Sequence, residues 1–224
     1  MITATTAAGP LLFVRYAMAP NLLGYCGPDD AGALITSSVR GAVDEVRDLA
    51  RQFESAWPCL QLIARAAGLD DPLDQRVVEA YWIGSPLLDD LGAMFAAGGR
   101  PHHSYQVFCV YPWVALLGDG RASGQALHVL DQCRIRWGRV VADTGSEVVV
   151  ESRPLTWSGQ VLALGPLRRE TVRRHDLLDP LAPGEWVSLH WQWVCDRLTA
   201  EQLTALRGWS AYHLTIANTG LTLG

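Results

Sequence analysis

Up to about residue 130, apolar residues recur every third or fourth position; beyond Cys133 they recur every second. Side chains three or four apart share a helix face and side chains two apart share a strand face, so this change of period dictates helices first and strands afterwards. Helical segments are expected over Leu11–Met18, from Asp29-Asp30 to about Ser38, and over Val43–Trp57 with a break or restart at Pro58. Others run over Leu60–Ala67, from Pro72 through Tyr81-Trp82, and from Ser85-Pro86 to Gly98-Gly99. Tyr105–Leu117 reads as a buried helix kinked at Pro112, and Ser123–Leu130 as a short helix or a strand entry.

After Cys133, Arg134–Ala142 alternates, Asp143-Thr144-Gly145 signals a turn, and the β-branched run Glu147–Ser152 completes a hairpin. Short strands follow at Thr156-Trp157, Val161–Leu164, Arg168–Arg173 and Trp186–Val194. Thr199 caps a last helix carrying Leu206 and Trp209 on its apolar side. The fold class is therefore α+β: a helical domain over 1–125, then a small OB-like or Greek-key β-barrel over 126–224 closed by a C-terminal helix. The Gly- and Asp-rich stretch Gly118–Ser123 marks the division.

Composition removes several function classes. At 224 residues, 49% hydrophobic and 18% charged, the chain can bury a real core. A net charge of -5 without a basic run argues against nucleic acid as partner. No apolar stretch reaches the length of a membrane span. Met1–Gly9 lacks the positive charges of a secretion signal, so a cytoplasmic location is expected. All 18 basic residues are arginine. That excludes a lysine Schiff base, and with it pyridoxal phosphate, as well as the phosphate loop that ends in Gly-Lys.

The cysteines Cys26, Cys59, Cys109, Cys133 and Cys195 form no Cys-x-x-Cys pair, and an odd number in a reducing compartment does not suit a disulfide framework. Cys133 and His190 bracket the strand region and would supply a soft thiolate and an imidazole to a transition metal. Cys26 lies in a glycine-flanked turn before the Asp29-Asp30 helix start, where a helix N-terminus can lower a thiol's pKa while the carboxylates oppose it. Of the adjacent pair His102-His103, at most one can face a given site. Glu79 stands beside Tyr81 and Trp82 on an apolar helix and could be a buried acid or base, or be paired with an arginine. Cys59 and Cys109 read as core, and Cys195 as packing near a strand end.

Four segments occur in order: Cys133 followed by Trp137-Gly138-Arg139-Val140-Val141; Gly165-Pro166-Leu167-Arg168-Arg169-Glu170-Thr171-Val172; Gly184-Glu185-Trp186-Val187-Ser188-Leu189-His190; and Leu198-Thr199-Ala200-Glu201-Gln202. This arrangement resembles the hydrogenase-assembly chaperones of the HypC/HupF family. The resemblance implies a carrier site for iron, as a fragment bearing cyanide and carbon monoxide, on Cys133 and His190. It also implies the hydrogenase large subunit or other maturation proteins as partners. In the first half, Arg15-Tyr16-Ala17, Pro20-Asn21 and Gly24-Tyr25-Cys26-Gly27-Pro28 resemble the opening of an uncharacterised bacterial family that accompanies nickel-iron hydrogenase genes.

The reading is thus an accessory factor for a metalloenzyme, with metal ligands Cys133, His190, Cys26 and His103, the last two facing Cys133 from the helical domain. Two alternatives stay open. One is a small-molecule enzyme using Cys26, His102 or His103, and Glu79. The other is a non-catalytic adaptor or homodimerisation module.

Overall fold

A computed structural model describes residues 4–223, which divide into two compact units, one ending at His102 and the other starting at His103. The division falls earlier than the Gly118–Ser123 stretch, because the segment after His103 packs with the strand-bearing half.

The first unit is helical. Helix α1 (Ala4–Leu22) is apolar nearly all round, with Phe13, Val14, Tyr16, Ala17 and Ala19 fully buried, as suits a central helix. It runs past Pro20, whose missing N–H falls in its last turns. Around it lie α2 (Ala33–Val39), α3 (Val43–Ala50), α4 (Ala56–Ala66), α5 (Gln75–Trp82) and α6 (Pro86–Asp89). Phe13 meets Phe53 edge-on at 5.2 Å, and Tyr16 stacks on Trp82 at 5.5 Å. Asp74 caps α5 by accepting from the Arg76 N–H.

Three helices of this unit have bounds that differ from those expected. The Asp29-Asp30 helix begins only at Ala33. The Val43–Trp57 segment stops at Ala50 and restarts at Ala56, with Pro58 inside the first turn of α4, where its absent N–H leaves no bond unmade. The helix expected from Pro86 to Gly98 ends at Asp89, and Gly92 adopts φ +64 soon after.

The second unit opens with α7 (His103–Tyr105), which widens into a π-turn over Gln106–Val110. The single kinked helix expected over Tyr105–Leu117 does not form. Tyr111 precedes Pro112 and is forced extended (ψ 147), and the chain resumes as a 3-10 turn only at Ala115–Gly118. Helix α8 (Ser123–Cys133) follows.

The strands are β1 (Arg136–Asp143), β2 (Glu147–Ser152), β3 (Leu155–Trp157), β4 (Leu162–Leu164), β5 (Arg168–Arg173), β6 (Trp186–His190) and β7 (Trp193–Arg197), before α9 (Ala200–Leu223). Strands β3 and β4 form a hairpin of their own. The other five form a mixed sheet in the order β1-β2-β5-β7-β6, with β6 also paired to β1. The contact of β5 with β7 is parallel. In the order β6-β1-β2-β5, strand β6 returns beside β1.

Valines of β1, β2, β5, β6 and β7 fill one core together with Leu178, Leu181 and Leu189. Gly138 permits close packing there, since a Cβ would stand 3.1 Å from Val150 and 3.3 Å from Leu189. A second core beneath α8 and the β3–β4 hairpin holds Val107, Phe108, Leu117, Ala126, Leu130, Leu155, Leu162 and Ala217.

The single strand expected over Trp186–Val194 is in fact a hairpin. His190 pairs with Trp193, leaving Trp191-Gln192 as a two-residue turn, with Trp191 at φ +54. Glycine is the usual residue there, so nothing in the sequence announces the turn.

Candidate metal centre

Three elements of the second unit deliver one side chain each. His103 opens α7, Cys133 is the last residue of α8, and His190 is the last residue of β6. Their ligand atoms all lie within 4.8 Å of one another. The helix α8 stops at Cys133 because Arg134 turns extended (φ -63, ψ 146) to enter β1. Cys133 thus stands at a helix C-terminus, whose partial negative charge favours a cation.

His103 is fixed by that same helix end. Its Nε2 donates to the Cys133 carbonyl oxygen at 2.8 Å, satisfying a carbonyl that α8 leaves without an intrahelical partner. A carbonyl can only accept, so Nε2 carries the proton and Nδ1 keeps the lone pair. Burial pushes the imidazole pKa down to about 4, against the opposing pull of the carbonyl. His103 is therefore neutral at neutral pH, the form in which it can coordinate a metal. Its ring meets that of His190 edge-on at 5.1 Å.

Buried polar contacts join the Cys133 and His190 segments. The Trp191 N–H donates to the Gln132 carbonyl at 2.8 Å, and Arg136 Nη2 donates to the Trp191 carbonyl at 2.5 Å. Arg136 is fully buried and pairs with Glu170, to which Ser152 Oγ also donates. Arg136 Nη2 approaches the Gln132 side-chain oxygen at 3.4 Å. The neighbouring Arg134 is also buried; it donates to Asp131 at 2.9 Å and to the Arg153 carbonyl at 2.6 Å. Burial lowers the Arg134 pKa to about 10, with Asp131 opposing, so it stays charged at neutral pH. The left-handed Trp191 costs about 1–3 kcal/mol.

The donor set fits a first-row transition metal. One thiolate and two neutral imidazoles suit iron, zinc or copper rather than calcium or magnesium. Donors on one tetrahedral ion stand roughly 3.3–3.8 Å apart, given metal–ligand lengths of about 2.0–2.3 Å, so a spread of at most 4.8 Å is within small side-chain adjustments of that geometry. Three protein ligands also leave a coordination position open, which closed structural sites lack.

Of the expected ligands, His103, Cys133 and His190 converge, whereas Cys26 belongs to the first unit. Cys26 lies in the turn after α1, where Asn21 Nδ2 donates to its carbonyl at 3.0 Å. Burial pushes its thiol up to about 12, the opposite of what a nucleophile needs, and α2 begins too late for its N-terminus to help. His102, fully buried, ends the first unit, and Glu79 is half-buried on α5. Cys59 is buried in α4 and Cys195 in β7. Cys109 is half-buried, its thiol raised to about 11 by burial.

Gln132, Arg136, Glu170 and Trp191 escape a reading of the sequence. Arg134 and Arg136 alternate with Ile135 at strand period, so both lie at positions of one face, with Asp131 and Glu170 as available acids. That pattern is the one signal that could have exposed the buried pairs.

Residues 5–96 and 90–223 match a family of unknown function (DUF6390). The chain belongs to that family. The second matched stretch contains His103, Cys133 and His190, and the first contains Cys26 and Glu79. No curated protein and no solved structure matches the chain.

Proposed function

We propose that the protein is an accessory factor in metalloenzyme assembly, for nickel-iron hydrogenase, which holds or delivers iron or its cyanide- and carbon monoxide-ligated fragment. The observation that carries this reading is the convergence of His103, Cys133 and His190 within 4.8 Å. The iron is cargo. Cys133 would supply the soft anionic donor and His103 and His190 neutral donors, leaving a position open for a recipient's ligands to enter.

Two further features support it. The strand order of the sheet, with β6 returning to β1, suits the OB-like barrel of the HypC/HupF chaperones that the second half resembles. The resemblance also implies a carrier cysteine and histidine at Cys133 and His190. His103 is a third donor, from the segment that precedes the barrel. Partners under this reading are the hydrogenase large subunit or other maturation proteins, in the cytoplasm. No described helix is long and apolar enough to cross a membrane.

The test is anaerobic pull-down from native cells, with metal analysis and a deletion strain. Iron with a hydrogenase-related partner, and hydrogenase activity lost on deletion, is the expected result. An iron-free protein without such a partner, beside normal hydrogenase activity in the deletion strain, refutes the proposal and leaves the enzyme and adaptor readings.

A further inference from the structure

We infer that Arg136 is a positioning residue of the Cys133–His190–His103 site, holding the Trp191 turn so that the donors are assembled before any metal arrives. This rests on the metal-holding reading above. His190 ends β6, and the chain reverses at once through Trp191 in a left-handed conformation that a bulky side chain rarely adopts. Such a turn persists only where its surroundings over-determine it. Here both backbone groups of Trp191 are held: its N–H by the Gln132 carbonyl and its carbonyl by Arg136. Gln132 immediately precedes Cys133, so the first bond ties the His190 turn to the end of α8. The second is anchored in turn, because Arg136 is locked by Glu170, and Glu170 by Ser152. Arg136 also lies opposite Leu189 in the β1–β6 ladder, one residue from His190. Partners that orient metal ligands in this way typically govern 10–100-fold in affinity.

The test uses the full chain and cobalt(II) as probe. Wild type should bind cobalt with a thiolate-to-metal absorption band. Replacing Arg136→Met together with Glu170→Gln removes both charges, so no lone buried ion remains and the fold should persist. We expect that variant to keep the band and the thermal midpoint within a few degrees while its cobalt dissociation constant rises about 10–100-fold. A residue with a merely structural role would move the midpoint and leave the affinity alone. Hydrogen exchange of the Trp191 amide in metal-free wild type is the second measurement, and it decides the matter if the variant does not fold. Strong protection without metal is expected. Wild-type affinity in the folded variant, or a Trp191 amide that is protected only after cobalt is added, overturns the inference while the carrier reading stands. No thiolate band in wild type overturns the carrier reading itself.

Discussion

His103 shows how one side chain can be read twice. It is one of two adjacent histidines in the sequence, and the fold assigns it, not His102, to the unit that holds Cys133 and His190. Its depressed pKa makes a prediction about stability. The unfolded chain binds a proton near pH 6.5 and the folded one only near 4. Between those values the unfolded state holds more protons, so this contribution is fully present above about pH 6.5 and is lost as pH falls through 4. The loss amounts to roughly 3 kcal/mol, at 1.36 kcal/mol per pKa unit. Urea unfolding of metal-free protein at pH 7 and pH 4.5 should show most of that difference in wild type and a smaller one in His103→Asn. Equal pH dependence in the two proteins would mean that His103 is not the buried neutral group described here. The convergence of Cys133 and His190 as candidate donors was legible because their residue types and neighbouring motifs are local. Cys26 resembles a ligand by residue type alone, and residue type carries no information about which unit a side chain enters.

At the level of elements, the ladders with local turn chemistry were legible and the turn without it was not. Glu147–Ser152 and Arg168–Arg173 form strands with those bounds, and Asp143-Thr144-Gly145 makes the expected turn, with Gly145 at φ +103. Trp191-Gln192 carries no turn residue, and tertiary hydrogen bonds impose its shape. The start of α9 was legible as well. Thr199 Oγ1 accepts from the Gln202 N–H at 3.2 Å while Gln202 Oε1 accepts from the Thr199 N–H at 2.9 Å, a reciprocal cap. Thr199→Ala should lower stability by about 1 kcal/mol, readable as a shift in the urea midpoint. Asp131→Ala should cost far more, about 3–5 kcal/mol, because it strands the buried Arg134. A cost below 1 kcal/mol in the same assay would show that water reaches that pair.

For the whole molecule, the change of hydrophobic period near Cys133 correctly separates helices from strands, but the compact units divide some thirty residues earlier, at His102. Periodicity reports element type, whereas unit membership depends on which core a segment fills. Val107, Phe108 and Leu117 fill the core under α8. A 103–224 fragment should therefore outlast a 126–224 fragment on heating, since the shorter piece forfeits roughly 5–9 kcal/mol of burial from those three side chains alone. That sum rivals the total stability of an ordinary domain. Equal midpoints would place the boundary at the glycine-rich stretch instead. Everything proposed about function depends on whether the three donors take up one metal ion together. X-ray absorption at the iron edge, on protein loaded anaerobically with ferrous iron, tests this directly. We expect a single sulfur scatterer with nitrogen neighbours in wild type, and loss of the sulfur in Cys133→Ala. A protein that retains no iron, or an iron environment unchanged by Cys133→Ala, would contradict the account.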